Sequence, residues 1–274
     1  MSELINGNWL QTMEGSLDNI EEYTRATAES LGGTVGTDEI VNKFGYNTDI
    51  DTGTDPEVIA SFGGAFDPST AVMSSAQTFT VTYNNTTDGS TATGARMLQF
   101  SYIDENDASA SAFHTLGSTG SDVTSFTGKG INRVVVVSFG GDLYNNNDIT
   151  ITATTDATTQ AQIPAQKSVT QQAIYHTPIS RTLKLNFLKV STLKLSGGGG
   201  SPVVNVIGYS YSRVTGGRYA VIDIEIDTSV ENNLVLRLPE PIVFTGREVI
   251  YFEAETDVSN TKVSLRFSGI ETDS

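Results

Sequence analysis

No cysteine occurs in the 274 residues. Disulfide frameworks, thiolate metal sites and cysteine nucleophiles are thereby excluded, and an oxidised secretory scaffold has no support. Histidine is nearly as scarce: His114 and His176 are the only two. Hydrolytic triads and zinc sites need a histidine beside a nucleophile or in pairs, and these two fall in different expected domains. Surface or strand-end histidines are the plainer expectation, and no catalytic, cofactor-binding or metal-binding residue is assigned. Apolar runs such as Val134–Val137 are far too short to cross a bilayer. Met1–Trp9 has neither the basic nor the apolar stretch of a signal peptide, so the chain is expected to be made without a secretory leader and to have no membrane partner. Positive charge is short as well. Lys and Arg total 16 against 32 Asp and Glu, a net charge of −16. Neutralising phosphates needs the opposite balance, which argues against nucleic acid as a partner.

Thr, Ser, Asn and 26 Gly fill the space left by a hydrophobic share of 38% and a charged share of 18%. Such a composition suits many short strands joined by polar turns. The charge is also uneven. Residues 1–165 hold 5 basic and 21 acidic side chains, whereas residues 166–274 hold 11 of each. No Asp or Glu stands between Asp156 and Asp223, a stretch that contains Lys167, Arg181, Lys184, Lys189, Lys194, Arg213 and Arg218. A chain so polarised can dock its basic part on an acidic surface, its own or a partner's. The plainer expectation is a solvated strand face.

The pattern predicts an all-β chain of two antiparallel β-sandwich domains, Ig-like then jelly-roll-like, preceded by a short helix and an extended arm. Residues 1–57 are the helix and anchoring arm. Ser16 caps a helix over residues 17–31 with Asp18, Glu21 and Glu22 in its first turns, and Gly32-Gly33 ends it. Its apolar stripe is thin, so it needs a partner surface or frays. Residues 33–70 show no regular period, which suits a segment that is disordered or bound along another surface. Phe44 and Tyr46 favour the bound form. Residues 58–165 are the first sandwich, with strands at 78–83, 96–103, 133–139 and 148–153. Residues 166–274 are the second, with strands near 172–175, 182–195, 203–212, 219–226, 233–238, 249–256 and 263–267. Pro164, Pro178, Pro202, Pro239 and Pro241 fall at the junctions. Ser196–Ser201 reads as a Gly-rich loop.

Asp49, Asp51 and Asp55 could hold a hard cation, but the segment lacks both the Asp-x-Asp-x-Asp-Gly pattern and the distal Glu of an EF-hand loop, so a loop rich in Asx turns is the better reading. Gly63-Gly64, Gly140-Gly141, Gly197–Gly200 and Gly216-Gly217 carry no Gly-Lys-Ser/Thr and open no helix, so none is a phosphate loop. Nothing selects a carboxylate pair for sugar hydrolysis from 32 acids.

The segment Val41–Glu57, Val-Asn-Lys-Phe-Gly-Tyr-Asn followed by an Asp-rich Thr-Gly stretch and the Gly63-Gly64 pair, resembles the leader of a family of tailed-phage virion structural proteins of marine podovirus-like phages. Thr91–Leu98 is similar to that family's Gly-Thr-Gly-Ala-Arg strand opening. Asn145–Ile151 is similar to its Asn-x-Gly-Asp-Ile-Thr-Ile strand, and Ile163–Ala165 with Gln172–Pro178 to the start of its second domain. The resemblance spans roughly residues 41–180, with Tyr46 in place of the usual Arg and Asn147 in place of Gly. It implies a non-enzymatic virion protein assembled in the host cytoplasm, most simply a capsid-exterior decoration or head-fibre protein. Phe44, Gly45, Tyr46, Asn47, Asp49 and Asp51 would then anchor it to the major capsid protein, and it would self-associate, as a homotrimer at first guess. A tail, collar or receptor-binding component that touches host surface glycan is the alternative, and a glycan-processing enzyme on the particle a third.

Overall fold

The computed structural model describes residues 34–35, 38–53, 55–195 and 200–274. The helix expected over residues 17–31 and residues 196–199 of the Gly-rich loop lie outside them. Within the described residues the chain is all-β, with antiparallel pairing throughout its four sheets. Sheet I runs in the order β1 (Thr34–Val35), β2 (Asp38–Ile50), β17 (Thr261–Asp273), β12 (Arg181–Lys194), β15 (Asn233–Phe244). Sheet II runs β11 (Ile174–His176), β16 (Glu248–Thr256), β13 (Val203–Ser212), β14 (Arg218–Asp227), with β3 (Glu57–Val58) also paired to β16. Sheet III is β10 (Thr159–Ile163), β9 (Ile149–Ala153), β4 (Phe79–Thr82), β7 (Ser121–Val123). Sheet IV is β6 (Ser109–Thr115), β5 (Ala95–Ile103), β8 (Gly130–Phe139). One four-residue helix, α1 (Pro68–Ala71), is capped by Asp67, whose carboxylate accepts from the Ser69 N–H.

Period-two burial decides how the sheets pack. Leu183 and Leu185 on β12, Leu265 and Phe267 on β17, Val204 and Val206 on β13, and Ile250 and Phe252 on β16 are all buried in one cluster, so sheets I and II share a core. Phe79, Val81, Leu98, Phe100, Val134 and Ile151 belong to a second core between sheets III and IV. A third cluster lies where Val58, Ala60, Phe66 and Val72 cover Val249 and Tyr251 on the other face of sheet II. Each large side chain fully buried in this way contributes roughly 1.5–3 kcal/mol.

The chain order differs from the expected succession of arm, first domain and second domain. Residues 38–50 are not a free arm. They form the second strand of sheet I, paired with β17 from Ile50↔Thr261 to Glu39↔Glu271. The surface along which this segment lies is therefore the chain's own. The alternation escapes notice because the inward positions Val41, Lys43, Gly45 and Asn47 include only one apolar side chain. Residues 57–66 likewise belong with sheet II, not with the stretch that follows them. Sheets III and IV are built from the continuous stretch 79–163 and interrupt sheets I and II. Strand β15 runs on through Pro239 and Pro241, which were expected to end it. It is an edge strand, and its register with β12 shifts between Leu185 and Phe187, where the missing N–H groups do no harm.

Candidate functional site

A cleft of about 490 Å³ opens where the two pairs of sheets meet. Glu39, Val41 and Lys43 of β2, Gln99 of β5, Arg133 of β8, and Tyr175 line it. Its floor is a polar seam. The Lys43 ammonium donates to the Asn132 carbonyl. The Asn132 side chain bridges in both directions: Nδ2 donates to the His176 carbonyl at 3.0 Å, and Oδ1 accepts the His176 N–H at 2.8 Å. Gln172 Nε2 donates to the Ile131 carbonyl at 3.0 Å, and Val136 N–H donates to Ser168 at 2.8 Å. The His176 ring lies on Gly130, where an added Cβ would come within 2.5 Å of it. Only glycine lets the ring settle there.

The electrostatics of the seam follow from burial. Lys43 is lowered from 10.5 to about 7, first by burial and then by the neighbouring Arg133 guanidinium. His176 is held well below its ordinary 6.5 by burial, with Arg213 and Lys43 adding repulsion, so its imidazole is neutral. One carboxylate, Asp107, faces Lys129 at 3.2 Å, Arg213 at 3.2 Å and Arg247 at 3.1 Å. It ties the β5–β6 turn to sheet II, and the Asp107 carbonyl accepts the Ile179 N–H at 2.8 Å. At the other end of the cleft Tyr175 donates to Glu271 at 2.8 Å, while Arg181 reaches Glu271 at 3.5 Å and also pairs with Asp273.

The histidines do not meet. His114 sits on β6 with its Nε2 3.9 Å from Asp122. Asp122 already accepts the Tyr83 hydroxyl at 2.5 Å and the Gly117 N–H at 2.6 Å. Burial lowers His114 and raises Tyr83 to about 12. This trio holds the loop at residues 117–122 against β4.

The six anchoring candidates divide by strand parity. Gly45 and Asn47 point inward: a Cβ on Gly45 would lie 2.1 Å from the Ile59 carbonyl oxygen, and Asn47 Nδ2 donates to Glu57 and to the Val58 carbonyl, each at 3.1 Å. Phe44 and Tyr46 point outward, stacked with centroids 6.5 Å apart, and Phe44 is 44% exposed. Asp49 and Asp51 are exposed at the strand end, where their N–H groups donate to Asn47 and Glu57. Among the described residues no group of three or more His, Cys, Asp or Glu could hold a metal ion, and no helix is long and apolar enough to cross a membrane.

Sequence reasoning missed the residues that join the quoted motifs. Buried Asp88 accepts the N–H groups of Ala95 at 2.8 Å, Asn146 at 3.0 Å and Asn147 at 3.0 Å. It thereby links Thr91–Leu98 to Asn145–Ile151. Asn145 Nδ2 donates to the Pro164 carbonyl at 2.8 Å, and its Oδ1 accepts the Ser168 N–H at 2.8 Å, which brings in Ile163–Ala165. Gly45 meets Ala173, and Lys43 reaches His176 through Asn132, which joins Val41–Asn47 to Gln172–Pro178. The visible signals were Asp88 in a Thr-Asp-Gly turn and a polar Asn132 within an apolar strand.

No protein-family model matches the chain, and no curated protein matches it. Among solved structures, that of infectious bursal disease virus Gx strain is similar over 88% of this chain and 73% of that one, at 10% identity and a TM-score of 0.21. The crystal structure of the VP2 subviral particle of infectious bursal disease virus gives the same coverage, identity and score. A TM-score this low establishes no common fold.

Proposed function

We propose that this chain is a non-enzymatic structural protein of a tailed-phage virion, displayed on the capsid exterior as a decoration or head-fibre protein. Each pair of sheets is read as a β-sandwich, the Ig-like one being the interrupting stretch and the jelly-roll-like one the interrupted half. The observation that carries the proposal is the fate of the motifs that resemble the phage family. Asp88, Asn145, Asn132 and Lys43 draw all of them into two buried polar clusters that hold sheets and halves together. Residues placed in this way maintain shape rather than perform chemistry, as a protein that works by geometry requires. Phe44 and Tyr46, with exposed Asp49 and Asp51 at the strand end, supply contact surface for the major capsid protein, whereas Gly45 and Asn47 serve the fold.

Cryo-electron microscopy of the particle that carries this protein tests the proposal. Density for the chain on the capsid shell supports it. Density on the tail, collar or a fibre tip favours the receptor-binding alternative. Hydrolysis of host polysaccharide by the purified chain would replace both with an enzyme.

A further inference from the structure

The outward faces of sheets I and II carry opposite charge. On sheet I the register places outward residues in rows: Ile40–Ile270–Lys184–Val243, Asn42–Ser268–Phe187–Arg237 and Phe44–Arg266–Lys189–Val235. Lys262, opposite Leu193, extends the face. These positions hold Lys184, Lys189, Arg237, Lys262 and Arg266 and no carboxylate. Lys189 and Arg266 stand directly opposite each other, a like-charge pair that is unfavourable in a sheet unless an acid approaches both. Phe44, Leu193, Val235, Val243 and Ile270 are exposed among them, an apolar patch rimmed by cations.

On sheet II the corresponding rows are Asp223–Ile207–Glu253 and Glu225–Asn205–Glu255, with Asp227 opposite Val203. Glu253 is buried against Arg218 at 2.5 Å. Asp223, Glu225, Asp227 and Glu255 are exposed. Among the described residues no ion pair involves these four acids or the five cations of sheet I. Since the two sheets share one core, these faces look away from each other.

We propose that copies of this chain stack head to tail, the basic face of sheet I of one copy on the acidic face of sheet II of the next. The partner is a second copy because the complementary face is on the same chain, with rows at the same strand spacing. The inference does not rest on the virion reading. Faces that point in opposite directions give a heterologous contact, which propagates as an open row and does not close as a trimer. Strand spacing and rise put the acidic rows, which cross three strands from residue 223 to 227, at roughly 10 Å by 14 Å, about 140 Å². That is about a sixth of a standard interface per partner, so one contact is weak and the row gains its strength from repetition.

The absence of cysteine makes the test clean. Val235→Cys and Asn205→Cys are introduced together into the full chain and treated with a short bismaleimide at low ionic strength. The expected product is a ladder of dimers, trimers, tetramers and beyond, reduced at least tenfold at high salt, and absent for either single-cysteine chain. Reversing the basic face (Lys184→Glu with Lys189→Glu) or the acidic face (Asp223→Lys with Glu225→Lys) in the double-cysteine chain removes the ladder, and mixing the two reversed chains restores it. That rescue cannot come from misfolding. A ladder that stops at three, a ladder indifferent to salt, no ladder at all, or no rescue on mixing overturns the proposal. So does an intramolecular cross-link between Val235→Cys and Ser30→Cys, which would put the chain's own acidic N-terminal segment on the basic face.

Discussion

The two halves of the molecule differ in how the chain closes them. Sheets III and IV come from the continuous stretch 79–163, whereas sheets I and II take β1, β2 and β3 from before it and the remaining strands from after it. A continuous half pays only for local loops, such as the turn between β5 and β6. The interrupted half is finished by pairs like Asn47↔Val263, which can form only after most of the chain is in place. Its stability therefore depends on one strand with few apolar side chains and on a polar seam that keys it to its neighbour. The continuous half closes on an apolar core, with buried Asp88 tying Ala95 to Asn146 and Asn147 within the same stretch.

The largest blow to that difference is expected from Gly45→Val. An added Cβ meets the Ile59 carbonyl oxygen at 2.1 Å and the Ala173 nitrogen at 2.4 Å, both backbone atoms that cannot step aside. A loss of about 3 kcal/mol or more in urea unfolding is expected, with new proteolytic cuts in residues 38–66 and 174–273 and none in 79–163. Cuts spread evenly through both halves would show that they unfold as one unit. Next comes Asn132→Ala, which strips a buried donor and acceptor from the seam and leaves the His176 backbone without partners. About 2 kcal/mol is expected, read by the same unfolding measurement.

Lys43→Met sharpens the comparison through pH. Folding lowers Lys43 from 10.5 to about 7, so between those values the unfolded chain binds the extra proton and stability rises with pH. His176, lowered from 6.5, acts in the same direction on the acid side. The Met variant is expected to exceed the parent in stability at pH 6, and the gap to close toward pH 9. An equal gap at both values would mean that Lys43 carries no buried charge. The smallest effect is expected at Val230→Ser, since Val230 is 84% exposed: a change within about 0.5 kcal/mol in the same assay.

Much of the β structure was legible because alternation was carried by apolar residues. Leu183, Leu185, Val204 and Val206 mark β12 and β13 by period two, and the run at Val134–Val137 marks β8. Strand β6 was illegible because Ser109–Thr115 alternates Ser with Ala, a contrast too small to read, although Ala110 and Ala112 pack on the core. Strand β2 failed for a related reason. Its inward Lys43, Gly45 and Asn47 are defined by partners distant in sequence: Asn132, 89 residues away, Ile59, 14 away, and Glu57 and Val58, 10 and 11 away. The candidate site was legible only as motifs. Which motif touches which is settled by Asp88, Asn132 and Asn145, polar side chains whose role depends on three-dimensional burial that a linear pattern does not encode.

The central claim is that residues 38–50 complete sheet I and are not a free arm. Hydrogen exchange of the intact chain, read by mass spectrometry, tests it most directly. Amides of residues 41–47 are expected to exchange as slowly as those of 263–269, their ladder partners in β17. Exchange at the rate of exposed loops such as 229–232, with 263–269 still protected, would contradict it.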